Sequence, residues 1–119
     1  LSEIPTIVSE EHEFPLEVGA QYFVMGMAIY KYTNCLYYLI DVNSRTFWFP
    51  YLLFSITDNS LPENWYIRIY NKEEDGDLLY LCGFDELCND EDYHDSLVDR
   101  DEKAMRIYFK RKIEFESGR

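Results

Sequence analysis

Seven carboxylates crowd the stretch "CNDEDYHDSLVDRDE" (residues 88–102): Asp90, Glu91, Asp92, Asp95, Asp99, Asp101 and Glu102, against one opposing charge, Arg100. Paired carboxylates could act as general acid and base, but that work wants one carboxyl held in an apolar cleft. Loops and a helix start keep carboxylates hydrated instead. His94, between Asp92 and Asp95, could serve as a base or a metal ligand; a surface histidine in an acidic turn is the plainer reading. "NKEEDGD" echoes a calcium loop, with Asn71, Glu73 and Asp75 on the first ligand positions and Gly76 on the required glycine. Its twelfth position is Cys82 rather than a bidentate glutamate, and strands flank it where helices are needed, so a solvated hairpin loop is expected.

The other chemistry-bearing types give less. Cys35, Cys82 and Cys88 are an odd number, and the Cys82–Cys88 spacing fits no zinc pattern. Buried free thiols are expected. No phosphate-cradling glycine loop, nucleophile elbow or H-E-x-x-H helix is present. The expectation is a non-enzyme with no cofactor and no metal.

Charge is the informative quantity. The chain carries 23 acidic and 11 basic residues, a net of −12, and residues 73–102 alone hold 13 acids and the single base Arg100. The remainder is neutral. Direct nucleic-acid binding would need a basic groove that the sequence lacks, since Lys110, Arg111 and Lys112 read as a helix end. A compact negative patch repels membranes and steers a basic protein toward itself. Asp85, Glu86, Asp90, Glu91, Asp92, Asp95 and Asp99 are the expected contact rim, with Tyr93 as an aromatic anchor at its centre. Asp101 and Glu102 are assigned to the helix start. The bland alternative is an acidic, solvated surface with no particular partner.

These residues must be positioned by strands, because 11 Tyr and 8 Phe pack well on a pleated sheet. Residues 1–13 read as an N-terminal arm or loose strand, 14–82 as an antiparallel sheet, and 84–116 as acidic helical turns and a closing helix. One long strand is expected through Tyr32, bent or bulged at Gly26. "TN" at 33–34 turns it into the hairpin partner "CLYYLID". Pro50 breaks "FWFPYLLFSITD". In "WYIRIYNK" the alternation puts Trp65, Ile67 and Ile69 on one face. Asp99, three positions before Glu102, suggests a capping box for a helix through about Phe115, with Lys110–Lys112 suiting its dipole.

The expected fold is a single α+β domain: a strongly bent antiparallel sheet or small SH3-like β-barrel of five or six strands with a C-terminal helix. Its core is expected to hold Tyr22, Val24, Leu36, Tyr38, Phe49, Phe54, Trp65, Ile67, Leu79 and Ile107. No apolar run approaches the roughly 20 residues of a membrane span and no basic-then-apolar leader opens the chain, so a cytoplasmic location is expected.

The segments "LEVGAQYFVMGMAIY", "YYLIDV", "PYLLFSITDNSLPENW" and "DYHDSLVDRDEKAMRIYFKRK", in that order, resemble small acidic bacterial immunity proteins of polymorphic and contact-dependent toxin systems. The resemblance runs from Leu16 onward and rests on turns, core aromatics and the closing helix, so it transfers no binding residue. It implies an intracellular, non-enzymatic neutraliser of one cognate toxin. With the acidic cluster, that makes a basic, nuclease-type toxin the expected partner. The alternatives are a nucleic-acid mimic acting on a host or phage-defence protein, and a small enzyme using the acidic cluster.

Overall fold

A computed structural model of the protein describes residues 4–10, 15–71, 73 and 76–117. Its described strands are β1 (Thr6–Ser9), β2 (Gln21–Phe23), β3 (Gly26–Tyr30), β4 (Leu36–Val42), β5 (Arg45–Pro50), β6 (Phe54–Asp58), β7 (Tyr66–Ile69) and β8 (Leu78–Gly83). The helices are α1 (Asp85–Asn89), α2 (Tyr93–Val98) and α3 (Glu102–Glu116). The strands form two antiparallel sheets, one of three in the order β2-β1-β6 and one of five in the order β5-β4-β3-β8-β7. The fold is α+β as expected, but eight described strands in two sheets replace the expected single sheet or barrel of five or six, and the sheets do not close into a barrel.

Two places explain the difference. The expected long strand is cut between Val24 and Met25. The Val24 amide donates to Pro5 in the small sheet's layer (2.8 Å), and the Met25 amide donates to Leu39 of β4 (2.8 Å). The second place is Pro50, which breaks the strand as expected. A 3₁₀ turn at Tyr51–Leu53 then carries the chain to β6, which pairs with β1. The chain thus changes sheets at both places and once more between β6 and β7, and the two sheets do not close on each other. Of the two readings of residues 1–13, an arm or a loose strand, Thr6–Ser9 fits the strand, but it is not loose: it is the central strand of the small sheet, with Ile7 fully buried. Residues 1–3 and 11–13 lie outside the described residues.

The main sheet is the middle layer. Successive β4 residues Leu39 and Ile40 are both fully buried, yet in different clusters. Leu39 packs with Leu87, Tyr93 and Tyr108 of the helices, and Ile40 with Ile7, Val24 and Phe54 of the small sheet. Alternation along a strand therefore gives each side of the sheet its own core. Of the ten expected core residues, Val24 and Phe54 are buried, and Tyr22, Leu36, Tyr38, Phe49, Trp65, Leu79 and Ile107 are half-buried. Ile67 is a correction, being 62% exposed, and Ile69 on the same face is 77% exposed. The helices cover the other side of β7: Arg68 donates to the Cys88 carbonyl (3.5 Å), and its guanidinium lies 4.9 Å from the Tyr70 ring. A one-residue change of phase turns every side chain to the opposite face.

Gly26 is not the bend. It stands opposite Gly83 in the β3–β8 ladder, and Leu87 of α1 rests on the pair. A Cβ on Gly26 would come 2.6 Å from Leu87 Cδ2, and one on Gly83 would come 2.9 Å from the same atom and 2.9 Å from the Met25 carbonyl. The two glycines make the bare seat on which the acidic helices land. α3 is capped two residues later than the expected capping box. Asp101 is the N-cap, its carboxylate accepting from the Ala104 amide (3.3 Å), while Asp99 ends α2. Arg100, at φ 55°, makes the corner between them because its guanidinium donates twice to the Thr46 carbonyl (3.1 and 2.9 Å).

Candidate functional site

The acidic helices are held by their inner faces. Leu87, Cys88, Tyr93, Leu97, Ala104 and Tyr108 are all buried against the main sheet. Tyr93 is 3% exposed, and its hydroxyl donates to the Ala104 carbonyl at 2.7 Å, tying α2 to α3. It is a core residue, so the expected aromatic anchor at the rim's centre is corrected. The signal was in the sequence: Tyr93 and Leu97 stand four apart, the spacing of one helix face.

The rim carboxylates do not form one patch. Glu86 is half-buried and chelated by Arg111, Nε to Oε1 at 2.9 Å and Nη2 to Oε2 at 2.8 Å. That hydrogen bonding holds its carboxyl below the usual glutamate range. Arg111 also meets Glu114 (3.0 Å), and Lys112 meets Asp41 of β4 (2.9 Å). These two cations fasten α3 to α1 and to the sheet, rather than answering the helix dipole as expected. Asp85 is exposed and accepts from the Asn89 side chain (2.7 Å). Asp99 is exposed at the far end of α2. Asp90 and Asp92 line one hollow of 200 Å³ with Tyr93, Ser96, Asp101 and Lys103, while Glu91 and Asp95 line another.

That other hollow is the most distinctive feature of the acidic segment. It is a cleft of 310 Å³ bounded by Tyr30, Tyr70, Asp77, Leu78, Glu91, His94 and Asp95, with Gly76 at its rim. Asp77, just before β8, and Glu91 and Asp95, around α2, line it together. The side chain of Asp95 is 92% exposed, whereas that of His94 is only 12% exposed. The His94 ring sits 5.8 Å from the Trp48 ring and 6.0 Å from that of Tyr30. Its Nε2 lies 2.9 Å from the Tyr30 hydroxyl and its Nδ1 3.2 Å from Asp95. The plain surface histidine expected from sequence is instead part of an aromatic wall. Burial, then Tyr37, then the carboxylates Asp77 and Asp95 push the Tyr30 phenol well above its ordinary range. Tyr32 also hydrogen-bonds Asp77, and its phenol is raised mainly for that reason. Asp77 was missed at the sequence level because an acid in a hairpin loop looks like ordinary solvation.

An aromatic-walled cleft rimmed by Asp77, Glu91 and Asp95 can hold a guanidinium or ammonium group by charge, hydrogen bonds and ring faces. Among the described residues, neither Asp77 nor Glu91 has a cationic partner, and Asp95 has only His94. A larger hollow of 410 Å³ lies where β2 meets the end of β4; its Asp41 and Lys112 are paired with each other, and Glu17 is the third charged residue that lines it.

No protein-family model, curated protein or solved structure matches this chain.

Among the described residues, no group of three or more His, Cys, Asp and Glu side chains could hold a metal ion. Asp75, a ligand position in the calcium-loop comparison, lies outside the described residues. The three cysteines are free; Cys82 and Cys88 are buried, and burial pushes the Cys88 thiol up to about 12. A thiol so raised is a poor nucleophile. No described helix is long and apolar enough to cross a membrane.

Proposed function

We propose that this chain is an immunity protein that binds and neutralises a cognate basic, nuclease-type toxin by covering its active site or substrate-binding surface. The observation that carries the reading is the convergence of Asp77, Glu91 and Asp95 on one aromatic-walled cleft. An active site built for phosphates presents lysines and arginines, and the cleft offers such a side chain what a phosphate offers, in a fixed place. The exposed carboxylates Asp85, Asp90, Asp92 and Asp99, elsewhere on the same helical segment, supply longer-range attraction. Tyr93 and Glu86 support the face from within. No step of this function needs a bond made or broken, so the chain acts as a non-enzyme.

The test is to look for a basic nuclease-type toxin gene directly upstream of the gene for this chain, and to measure growth rescue of bacteria producing that toxin, followed by association kinetics with the purified pair. Asp77→Asn, Glu91→Gln and Asp95→Asn together are expected to slow association on the order of tenfold at low salt. The difference should shrink at high salt, where screening already removes steering. Glu10→Gln, at an exposed residue next to the small sheet, is the control and should change the rate little. Unaltered association of the triple variant at low salt would remove the cleft from the interface, and absence of rescue would remove the toxin.

A further inference from the structure

The five-stranded sheet has two edges, and they are finished differently. β5 ends in Pro50, and the Arg100 guanidinium occupies the outward carbonyl of Thr46. Both devices stop another strand from pairing there. β7 has neither. Among the described residues it pairs with β8 alone. The Tyr70 amide donates inward to Leu79. In an antiparallel ladder every second residue faces the partner strand, so Arg68 and Tyr66 also turn their backbone groups toward β8. Ile67 and Ile69 therefore turn their N–H and C=O groups away from the sheet. Their side chains stand 62% and 77% exposed on the side away from the helices, in register with Cys82 and Tyr80. The one charge on β7, Arg68, is drawn onto the Cys88 carbonyl and the Tyr70 ring, so the edge keeps its outward backbone groups and two exposed isoleucines as a template for an added strand.

We propose that β7 accepts a strand from the basic partner, an extended segment that alternates apolar and basic side chains. The apolar ones would cover Ile67 and Ile69, and the basic ones would meet the acids that flank the edge. Charge selects this occupant over a second copy of the chain. Exposed Glu63 precedes β7, exposed Glu73 follows it, and exposed Asp85 lies just past Gly83, the partner of Tyr66. Antiparallel self-pairing would set these acids against their own copies, whereas a basic strand complements them. The edge is also continuous with the acidic cleft, because Tyr70, the residue directly after β7, forms part of the cleft wall. The inference rests on the reading that the partner is basic, and it adds the backbone geometry by which that partner docks.

The probe is the acetylated, amidated peptide RVKVKVR, with EVEVEVE as its acidic counterpart, followed by amide NMR and hydrogen exchange on the intact chain. The basic peptide is expected to slow exchange of the Ile67 and Ile69 amides and to shift Glu91, His94 and Asp95, while the acidic peptide does neither. Ile69→Pro removes an outward N–H without touching the β7–β8 ladder, and losing that bond should weaken binding about tenfold. A second variant, Ile67→Thr with Ile69→Thr, keeps strand propensity and every backbone group. It should bind more weakly than the parent yet still show protected amides at both positions. Shifts at the cleft with unprotected Ile67 and Ile69 amides would overturn the added strand and leave the cleft reading standing. No shift at either place would overturn both. Equal protection by the acidic peptide, or a concentration-dependent dimer abolished by Ile69→Pro, would show that the edge takes a different occupant.

Discussion

Asp41 and Glu86 carry the same functional group as Asp77 and Glu91, but the two pairs are placed by opposite rules. Asp41, on a side chain 11% exposed, accepts from the Tyr108 hydroxyl (2.9 Å) and from Lys112 (2.9 Å). Glu86 takes both arms of Arg111. Each carboxylate that fastens α3 thus brings its cation from the same chain. Asp77 and Glu91 are exposed and lack one among the described residues. Several bases near the acidic segment are spent internally: Arg100 on Thr46, Arg106 on Glu102, Arg111 on Glu86 and Glu114, and Lys112 on Asp41. Exposed Lys103, in the hollow of Asp90 and Asp92, and exposed Lys110 are in no ion pair among the described residues. The cations that stitch α3 to the fold are withheld from Asp77, Glu91 and Asp95, whose charge stays on the surface.

The largest effect that separates the two groups should come from the stitched side. Tyr108 is fully buried, with rings of Phe84 and Phe109 edge-on at 6.1 and 5.0 Å. Tyr108→Ala is expected to lower stability by about 3–5 kcal/mol in urea denaturation. Tyr108→Phe keeps the ring and removes only the bond to Asp41, so it should cost about 1 kcal/mol. If Tyr108→Phe proved as damaging as Tyr108→Ala, the carboxylate rather than the packing would dominate that joint.

What the sequence disclosed follows the reach of each signal. The turn at 33–34 and the break at Pro50 were legible because local residues dictate them. So were the helical turns at 85–89 and 93–98, where apolar residues three or four apart line one face. The cut at Val24–Met25 was not, since two apolar residues in an apolar run carry no punctuation, and only the pairing partners Pro5 and Leu39 distinguish them. β7 misled for a related reason: both of its faces carry large side chains, and the helices chose the face with Arg68. The acidic site was half legible. Charge density marked residues 85–99, but the cleft is made by joining them to Asp77 and Tyr30, which only the tertiary fold supplies.

A middle-sized effect tests Glu86 by pH. Its carboxyl is held below its ordinary 4.5 chiefly by the hydrogen bond from Arg111, so the folded state binds that proton less readily than the unfolded chain. The pair's contribution is therefore fully present above the ordinary value and is lost as pH falls through the lowered one. Both groups are partly solvated, with side chains 25% and 26% exposed, so the contribution is about 1 kcal/mol. Glu86→Gln should be less stable than the parent by that amount at neutral pH, and the two urea curves should converge as acid protonates the parent's carboxyl. A gap that persisted unchanged into strong acid would mean that shape, not charge, makes the contact.

The smallest effect is expected where the charge is most conspicuous. Replacing Asp77, Glu91 and Asp95 by their amides removes three negative charges from a chain whose net is −12. None of the three holds a cation as Glu86 does, and an asparagine at position 95 can still accept from His94 Nδ1. Relief of like-charge repulsion works in the opposite direction to any lost hydrogen bond from Tyr32 to Asp77. Stability should therefore change by only about 0.5 kcal/mol in urea denaturation, with the gain, if any, fading at high salt. The same variant is the one expected to lose association with a basic partner. A fall in stability of more than about 1 kcal/mol would place these carboxylates beside Asp41 and Glu86 as parts of the fold, and the division between stitched and unpaired acids would no longer hold.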